Sequence, residues 1–171
     1  MIAENRAAVS AVLTNAAAVV IAGGHVGVLA EVLHLFNVAA ALHSVGRSWA
    51  GRSPVIAWSA GAMALTDRIV LFGDRSPQGP GHPEVYRSGL SVLREVVLLP
   101  HARARMLLDD TPRMAIFARR FAPARCVLLD SGTRVELDSD GDGGPSGGPS
   151  GWPPGVRVIA EDGRVTSLEA A

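Results

Sequence analysis

The fold is decided by residues 54–65, which read Pro-Val-Ile-Ala-Trp-Ser-Ala-Gly-Ala-Met-Ala-Leu. The first part of this segment, 54–58, is a short apolar run that predicts a strand, and the small residues from Ser59 onward indicate the start of a helix. Similar pairs of strand and helix are expected before and after it along the chain. Alternation of this kind predicts an α/β fold with a mostly parallel sheet that helices cover on both faces.

The segments upstream of 54–65 fit this pattern. We expect a helix over 4–15, a buried strand over 17–22 that Gly23 and Gly24 close, and helices over 26–36 and 38–49. The upstream part of the chain is therefore expected to contain one strand and three helices.

The downstream segments predict shorter elements. Expected strands cover 69–72, 96–99, 126–129 and 134–137, and a C-terminal β-hairpin joins 156–159 to 164–168. Residues 102–121 are expected to be helical with a break at Thr111, which can cap, and Pro112, which can start a new helix. Composition predicts an exposed loop over 73–83 and a flexible loop over 139–155, both within a single domain of residues 1–171.

Length, charge and hydropathy exclude several classes of protein. The 171 residues, of which 48% are hydrophobic, suit one domain with a real core. Sixteen basic and sixteen acidic residues give zero net charge, so we expect neither nucleic acid nor a membrane surface as a partner. The apolar stretch 16–30, which carries no charged residue, contains glycines and is too short to span a bilayer. The chain also opens without a secretory pattern, so we expect a cytoplasmic location.

Metal and cofactor chemistry has little support in the sequence. Cys126 is the only cysteine and falls in an apolar run, where it is expected to be a core residue. His34 and His43 lie on predicted helices without a carboxylate at ligand spacing. We therefore expect no metal site and no cofactor.

Ser59 is the first candidate for catalysis. It lies in residues 57–61, Ala-Trp-Ser-Ala-Gly, which approximate the nucleophile elbow of serine hydrolases, with Ala57 in place of the first glycine. Small neighbours allow the strained backbone of such an elbow to pack against the sheet. The Ala60 amide, at a helix N-terminus, can then face a developing oxyanion. A strand end rich in small residues also arises without catalysis, so both interpretations stay open.

Two further motifs follow buried strands. Gly23 and Gly24 let the backbone approach a ligand, and the Gly24 amide could supply a second oxyanion donor; a tight turn before a helix is the alternative. His101, after the strand over 96–99, is placed to act as a general base, and Arg103 and Arg105 could bind a substrate carboxylate. The alternative is a loop histidine beside solvated arginines.

Taken in order, these motifs resemble those of the aspartyl dipeptidase (peptidase E) and cyanophycinase family of serine peptidases, whose fold is related to class I glutamine amidotransferases. The resemblance covers most of residues 17–137. It rests on 23–25 for the family's Gly-Gly-Asn turn, on 58–62 for its Ser-Ala-Gly-Ala elbow, and on 89–93 with 101–105 for the stretch that carries its catalytic histidine. It implies a three-layer sandwich of helices around the sheet.

The resemblance also implies roles for individual residues. Ser59 would be the nucleophile, His101 the base, and the amides of Gly24 and Ala60 the oxyanion hole. The substrate contacts would come from Arg103, Arg105 and His25, of which His25 replaces the family's asparagine.

Two departures from the family bear on function. The family's catalytic glutamate aligns with Ser131, and Asp130 beside it can replace that acid only if the turn reorients it, because neighbouring strand residues point to opposite faces. The family also carries about two more strand-helix units before the Gly-Gly turn. The sequence therefore predicts an internal start, or an N-terminally shortened member whose sheet edge a partner covers, as in a homodimer.

The sequence leaves two functions open. The first is a serine-type hydrolase in which Ser59 and His101 cleave a peptide or amide bond, with a small peptide or amide as substrate and a preference for an acidic neighbour of that bond. The second is a catalytically impaired or truncated relative that keeps the pocket for binding or assembly.

Overall fold

The computed structural model describes residues 2–47, 54–73, 83–137 and 152–168. The helices are α1 (Ile2–Asn15), α2 (Val26–Leu35), α3 (Val38–Arg47), α4 (Ala60–Ala64), α5 (Ala102–Arg105) and α6 (Thr111–Phe121). The strands are β1 (Val19–Ile21), β2 (Val55–Ala57), β3 (Arg68–Leu71), β4 (Glu84–Ser88), β5 (Val96–Pro100), β6 (Arg125–Leu129), β7 (Arg157–Ile159) and β8 (Val165–Ser167). The predicted loops over 73–83 and 139–155 lie mainly outside the described residues.

The strands pair in both senses. β1 lies parallel to β2 with Ile21 opposite Ala57, and β5 lies parallel to β6 with Pro100 opposite Leu129. β3 with β4, β6 with β7, and β7 with β8 are antiparallel pairs. The α/β class is therefore confirmed, and the strand pairing within it is mixed.

Three local predictions were wrong. Residues 134–137 are not a strand: Val135 and Leu137 pack against the core, but the segment pairs with no strand of the described residues, and Arg134 pairs with Glu136 two positions on. The sequence analysis did not predict β4, because its residues are mostly exposed and polar. They form a strand through backbone pairing with β3. The cap of α6 is Asp110 instead of Thr111, since its carboxylate accepts from the Arg113 amide at 3.1 Å.

The core lies on both faces of β5 and β6. Val97, Leu99, Cys126 and Leu128 pack with α6 on one face, as the alternation of strand side chains requires. The other face carries a second buried set, namely Val96, Leu98 and Val127 with Ala62 of α4, Trp152, Val156 and Val158. Ala62 belongs to this second set, so α4 packs against β5. The helix after Ser59 and the strand before His101 are thus packed against each other.

Cys126 is a core residue, as predicted. Its side chain is 1% exposed, and burial raises the pKa of the thiol to about 12, because the charged thiolate would lose its hydration. A thiol that stays protonated at neutral pH is a poor nucleophile. Cys126 is therefore no competitor of Ser59 for that role.

One face of the β1–β2 pair is open to solvent. Val20 and Ile56, which lie opposite each other in the register, are 58% and 51% exposed, and Trp58 is 50% exposed. An exposed apolar sheet face is consistent with association, and the homodimer stays a prediction. None of the helices in the described ranges is long and apolar enough to cross a membrane.

Candidate active site

Ser59 occupies a sharp turn between β2 and α4. Its backbone has φ 52° and ψ −123°, a region that side-chain-bearing residues rarely adopt and that costs on the order of 1–3 kcal/mol. The Met63 amide donates to the Ser59 carbonyl at 3.1 Å, so the helix begins directly at the serine. The hydroxyl does not cap that helix. A strained serine between a strand and a helix, with a hydroxyl that does not cap the helix, is typical of a nucleophile elbow.

Gly61 explains why this elbow needs small residues. A Cβ at Gly61 would lie 2.1 Å from the Ile21 carbonyl oxygen and 2.8 Å from that of Ala22. The first turn of α4 is thus pressed against the end of β1, and a side chain there would force the two apart. This close contact between α4 and the end of β1 fixes the direction that the chain takes at Ser59, where β2 ends and α4 begins.

The glycine turn after β1 lies against the elbow. A Cβ at Gly23 would be 3.1 Å from Ser59 Cβ and 3.4 Å from Ser59 Oγ, so a side chain at this position would crowd the serine. Gly24 has φ +138°, and no heavy atom would lie within 4 Å of a Cβ built on it. Gly24 and Ala60, whose amides the sequence analysis assigned to an oxyanion hole, line one cavity together with Ser59.

A cavity of about 150 Å³ opens at this point. Its lining comes from the glycine turn, the elbow, β3 and α5: Gly24, His25, Val26, Ser59, Ala60, Met63, Val70, Leu71, Phe72 and Arg105. Five residues that the sequence predicted for the site, Gly24, His25, Ser59, Ala60 and Arg105, are brought together here.

His25 caps the helix that follows the glycine turn. Its Nδ1 accepts from the Val28 amide at 3.3 Å, which requires an unprotonated Nδ1 and so places the proton of the neutral ring on Nε2. Asparagine, the family's residue at this position, is also a strong helix cap. The replacement therefore preserves the start of α2 and presents a ring N–H donor instead of a side-chain amide.

Arg105 is the arginine that reaches the cavity. Its guanidinium lies over the Phe72 ring, 4.9 Å from the centroid, and its Nη1 donates to the Pro100 carbonyl at 3.5 Å. Arg103 instead points to solvent, with a side chain that is 71% exposed. The sequence analysis missed Phe72, which it made the last residue of the predicted strand 69–72; a place at the end of a strand was a usable signal.

His101 sits where β5 ends and α5 begins. It adopts the left-handed conformation with φ 55° and ψ 38°, its amide donates to the Leu129 carbonyl at 3.0 Å, and its side chain is exposed. The hydrogen bonds of the described residues do not include one between His101 and Ser59. Such bonds are often long without substrate and tighten in the complex.

Asp130 follows β6, beside His101. Its Oδ1 accepts from the Arg103 amide at 3.0 Å, and its Oδ2 lies 3.5 Å from Arg157 Nη1 and 3.7 Å from Arg103 Nε. Its described contacts do not include the His101 imidazole, and Ser131 next to it is exposed. The role of Asp130 as the acid of a triad stays a prediction.

A strained serine at a strand-to-helix turn, with a glycine turn packed on its side chain and a cavity beside it, defines a nucleophile-elbow site of the serine-hydrolase kind. The family model described as Peptidase family S51 matches residues 1–141. The chain therefore belongs to family S51, the peptidase E and cyanophycinase family of serine-type peptidases, as the motifs predicted. None of the curated proteins matches this chain.

Proposed function

We propose that this chain is a serine-type hydrolase that cleaves a peptide or amide bond through an acyl-enzyme on Ser59. The observation that carries the proposal is the strained backbone of Ser59, a residue that lines one cavity together with Gly24 and Ala60. Such a hydroxyl needs a base to become nucleophilic and donors to receive the oxyanion. The scaffold we propose is the three-layer, class I glutamine amidotransferase-like sandwich, closed by the hairpin of β7 and β8.

The proposed reaction has two stages. His101 takes the proton of Ser59 Oγ while the oxygen attacks the carbonyl carbon, and the amides of Gly24 and Ala60 hold the oxyanion. The protonated imidazole then gives its proton to the leaving amine, whose bond to the carbonyl carbon breaks. Water, deprotonated by His101, attacks the acyl-enzyme and releases the acid together with free Ser59.

An active-site probe tests the proposal directly. A biotinylated fluorophosphonate should label the native protein, and mass spectrometry of the digest should place the phosphonyl group on Ser59, because only an activated serine attacks this reagent at a useful rate. Heat-unfolded protein is the matched control and should stay unlabelled. Native protein that stays unlabelled, or a label on another residue, would contradict the proposal.

We further propose that the substrate carries an acidic residue next to the cleaved bond. Arg105 supports this, because the residue lines the cavity and its guanidinium lies over the ring of Phe72, another lining residue. Burial of a carboxylate against a fixed guanidinium is worth about 1.5–3 kcal/mol. His25, which also lines the cavity, would supply an imidazole N–H donor to the same substrate.

Arg105→Gln is therefore expected to raise KM for an aspartyl p-nitroanilide about 10- to 100-fold, because the carboxylate loses its charged partner. The neutral asparaginyl p-nitroanilide should change less than about threefold, which separates charge recognition from general damage to the site. Arg119→Gln, on the exposed face of α6, is the control and should leave both substrates unaffected. Equal losses for the two substrates would rule out a carboxylate contact at Arg105.

The second candidate function is a catalytically impaired relative that keeps the pocket for binding or assembly. It is favoured by the contacts of Asp130, whose carboxylate lies near two arginines and leaves His101 without a described acid partner. The open apolar face around Ile56 adds support for assembly. Probe labelling at Ser59 would refute the loss of catalysis, and a monomeric chain at all concentrations would refute assembly.

A further inference from the structure

Asp130 has a largely buried carboxylate. Among the described residues, its Oδ2 atom lies near positively charged groups but accepts no hydrogen bond. The side chain is 18% exposed, and Oδ2 is buried without a hydrogen-bond partner among the described residues. The guanidinium groups of Arg157 and Arg103 lie 3.5 Å and 3.7 Å from it. A buried carboxylate oxygen is tolerated only next to compensating positive charge. The position of Asp130 therefore depends on these arginines.

The first oxygen of Asp130 holds the backbone that presents His101. Oδ1 accepts from the Arg103 amide at 3.0 Å, while the His101 amide donates to the Leu129 carbonyl at 3.0 Å. Residues at the end of β6 thus accept hydrogen bonds from two amides of the turn, those of His101 and Arg103, one on each side of Ala102. A residue with φ 55° stays in that conformation only where its surroundings hold it. These two hydrogen bonds supply that constraint for His101.

Arg157 brings a distant segment into this arrangement. It lies on β7, which pairs antiparallel with β6, and its side chain is 34% exposed. Residue 157 is beyond the family-matched residues 1–141. Arg103 also approaches Oδ2, but its side chain is 71% exposed, so water screens its charge more strongly. Arg157 is the better-placed of the two counter-charges.

We propose that Asp130 and Arg157 form a positioning pair for His101, in which Arg157 fixes the Asp130 carboxylate and the carboxylate fixes the backbone turn that aims the imidazole. This rests on the proposed function in that His101 is taken as the base. Asp130 then acts through main-chain geometry and is not the acid that holds the imidazole tautomer. The C-terminal hairpin becomes part of the catalytic apparatus without contacting substrate.

Two substitutions of Asp130 separate the positioning role from that of a triad acid. In Asp130→Asn, the side-chain oxygen can still accept from the Arg103 amide, so kcat should stay within about tenfold of the unmodified enzyme. Asp130→Ala removes the acceptor and should lower kcat about 10- to 100-fold with KM changed less than threefold, the size expected for a base displaced by about 1 Å. If Asp130 holds the imidazole tautomer, Asn should instead cost about 10,000-fold, and the positioning role is overturned.

Substitutions of Arg157 test the second half of the pair. Arg157→Gln should lower the rate of fluorophosphonate labelling at Ser59 about 3- to 10-fold, and Arg157→Lys should recover it to within about twofold, because the lysine restores the charge. Arg164→Gln is the matched control, since Arg164 lies on the same hairpin and pairs with Asp162, 2.7 Å away, instead of Asp130. Equal effects of Arg157→Gln and Arg164→Gln would mean that the hairpin matters for stability alone, which overturns the proposal.

Amide hydrogen exchange supplies a readout that does not depend on activity. The amides of His101 and Arg103 should exchange at least about tenfold faster in Asp130→Ala and in Arg157→Gln, while those of β5 stay protected. Unchanged exchange at these two amides would overturn the positioning pair even if the enzyme is active. Faster exchange in a protein that the fluorophosphonate does not label would keep the pair and reject the proposed hydrolase.

Discussion

Replacing Ser59 with alanine is expected to lower hydrolysis of a peptide or amide substrate by roughly 10³- to 10⁶-fold, leaving only what the oxyanion donors and binding supply. The loss follows because Ser59 is the only serine, cysteine or threonine among the described residues that line the cavity. Initial rates of the alanine variant and of the unmodified enzyme, measured on the same substrate, check the prediction.

The control for this substitution is Ser91→Ala. Ser91 also has a positive φ, 54°, but it does not line the cavity, so the same chemical change should leave the rate within about twofold. A Ser59→Ala enzyme that keeps a tenth or more of its activity would remove Ser59 from the mechanism.

Ser59→Gly adds a second readout at the same position. Glycine adopts φ 52° and ψ −123° freely, so relief of about 1–3 kcal/mol of strain should outweigh the larger entropy of its unfolded state, about 0.5–1 kcal/mol. The free energy of unfolding should therefore rise by about 1 kcal/mol while activity disappears, as urea titration would measure. A glycine variant that is less stable than the parent would mean that the turn stores no strain.

Gly61→Ala is expected to lower the free energy of unfolding by about 3 kcal/mol or more. The added methyl would lie 2.1 Å from the Ile21 carbonyl oxygen and 2.7 Å from its carbonyl carbon, and both are backbone atoms of a buried strand end that cannot rotate away. Either α4 shifts and carries Ser59 with it, or β1 leaves its register with β2. Thermal or urea unfolding measures the loss.

Gly27→Ala is the matched control, because Gly27 is also a helical glycine close to the cavity. A Cβ there would meet His25 Cε1 and the Tyr86 hydroxyl, each at 3.1 Å, and both belong to side chains that can move. The gain in helix propensity, close to 1 kcal/mol, opposes this crowding, so stability should change by less than about 1 kcal/mol. Similar losses for the two variants would show that backbone contact at Gly61 is not what limits the elbow.

The sequence was most informative where packing in the folded protein demands residue types that also form a recognisable local pattern. The elbow could be predicted because the strain at Ser59 and the close contact at Gly61 both demand small residues, which are visible in the sequence. The glycine turn could be predicted for the same reason. Helical spacing located α2 and α3, and apolar runs located β5 and β6 to within one residue.

The partners of Asp130 could not be predicted in this way. Asp130 and Arg157 are 27 positions apart, and no local pattern links an acid at a strand end to an arginine on a later hairpin. β4 was not predicted for a related reason, since its polar, exposed residues form a strand only through pairing with β3. Long-range pairing of charges and of strand backbones depends on the assembled fold, which neither residue type nor periodicity encodes locally.

The placement of β7 also bears on how this protein should be produced. β6 is an inner strand only because β7 covers its edge away from β5. A gene trimmed to the family-matched residues 1–141 would encode a β6 with an open row of backbone donors and acceptors, which is a template for pairing with other chains. Such a shortened protein would tend to aggregate during expression. The residues that the family model matches therefore leave out the strand that covers the edge of β6.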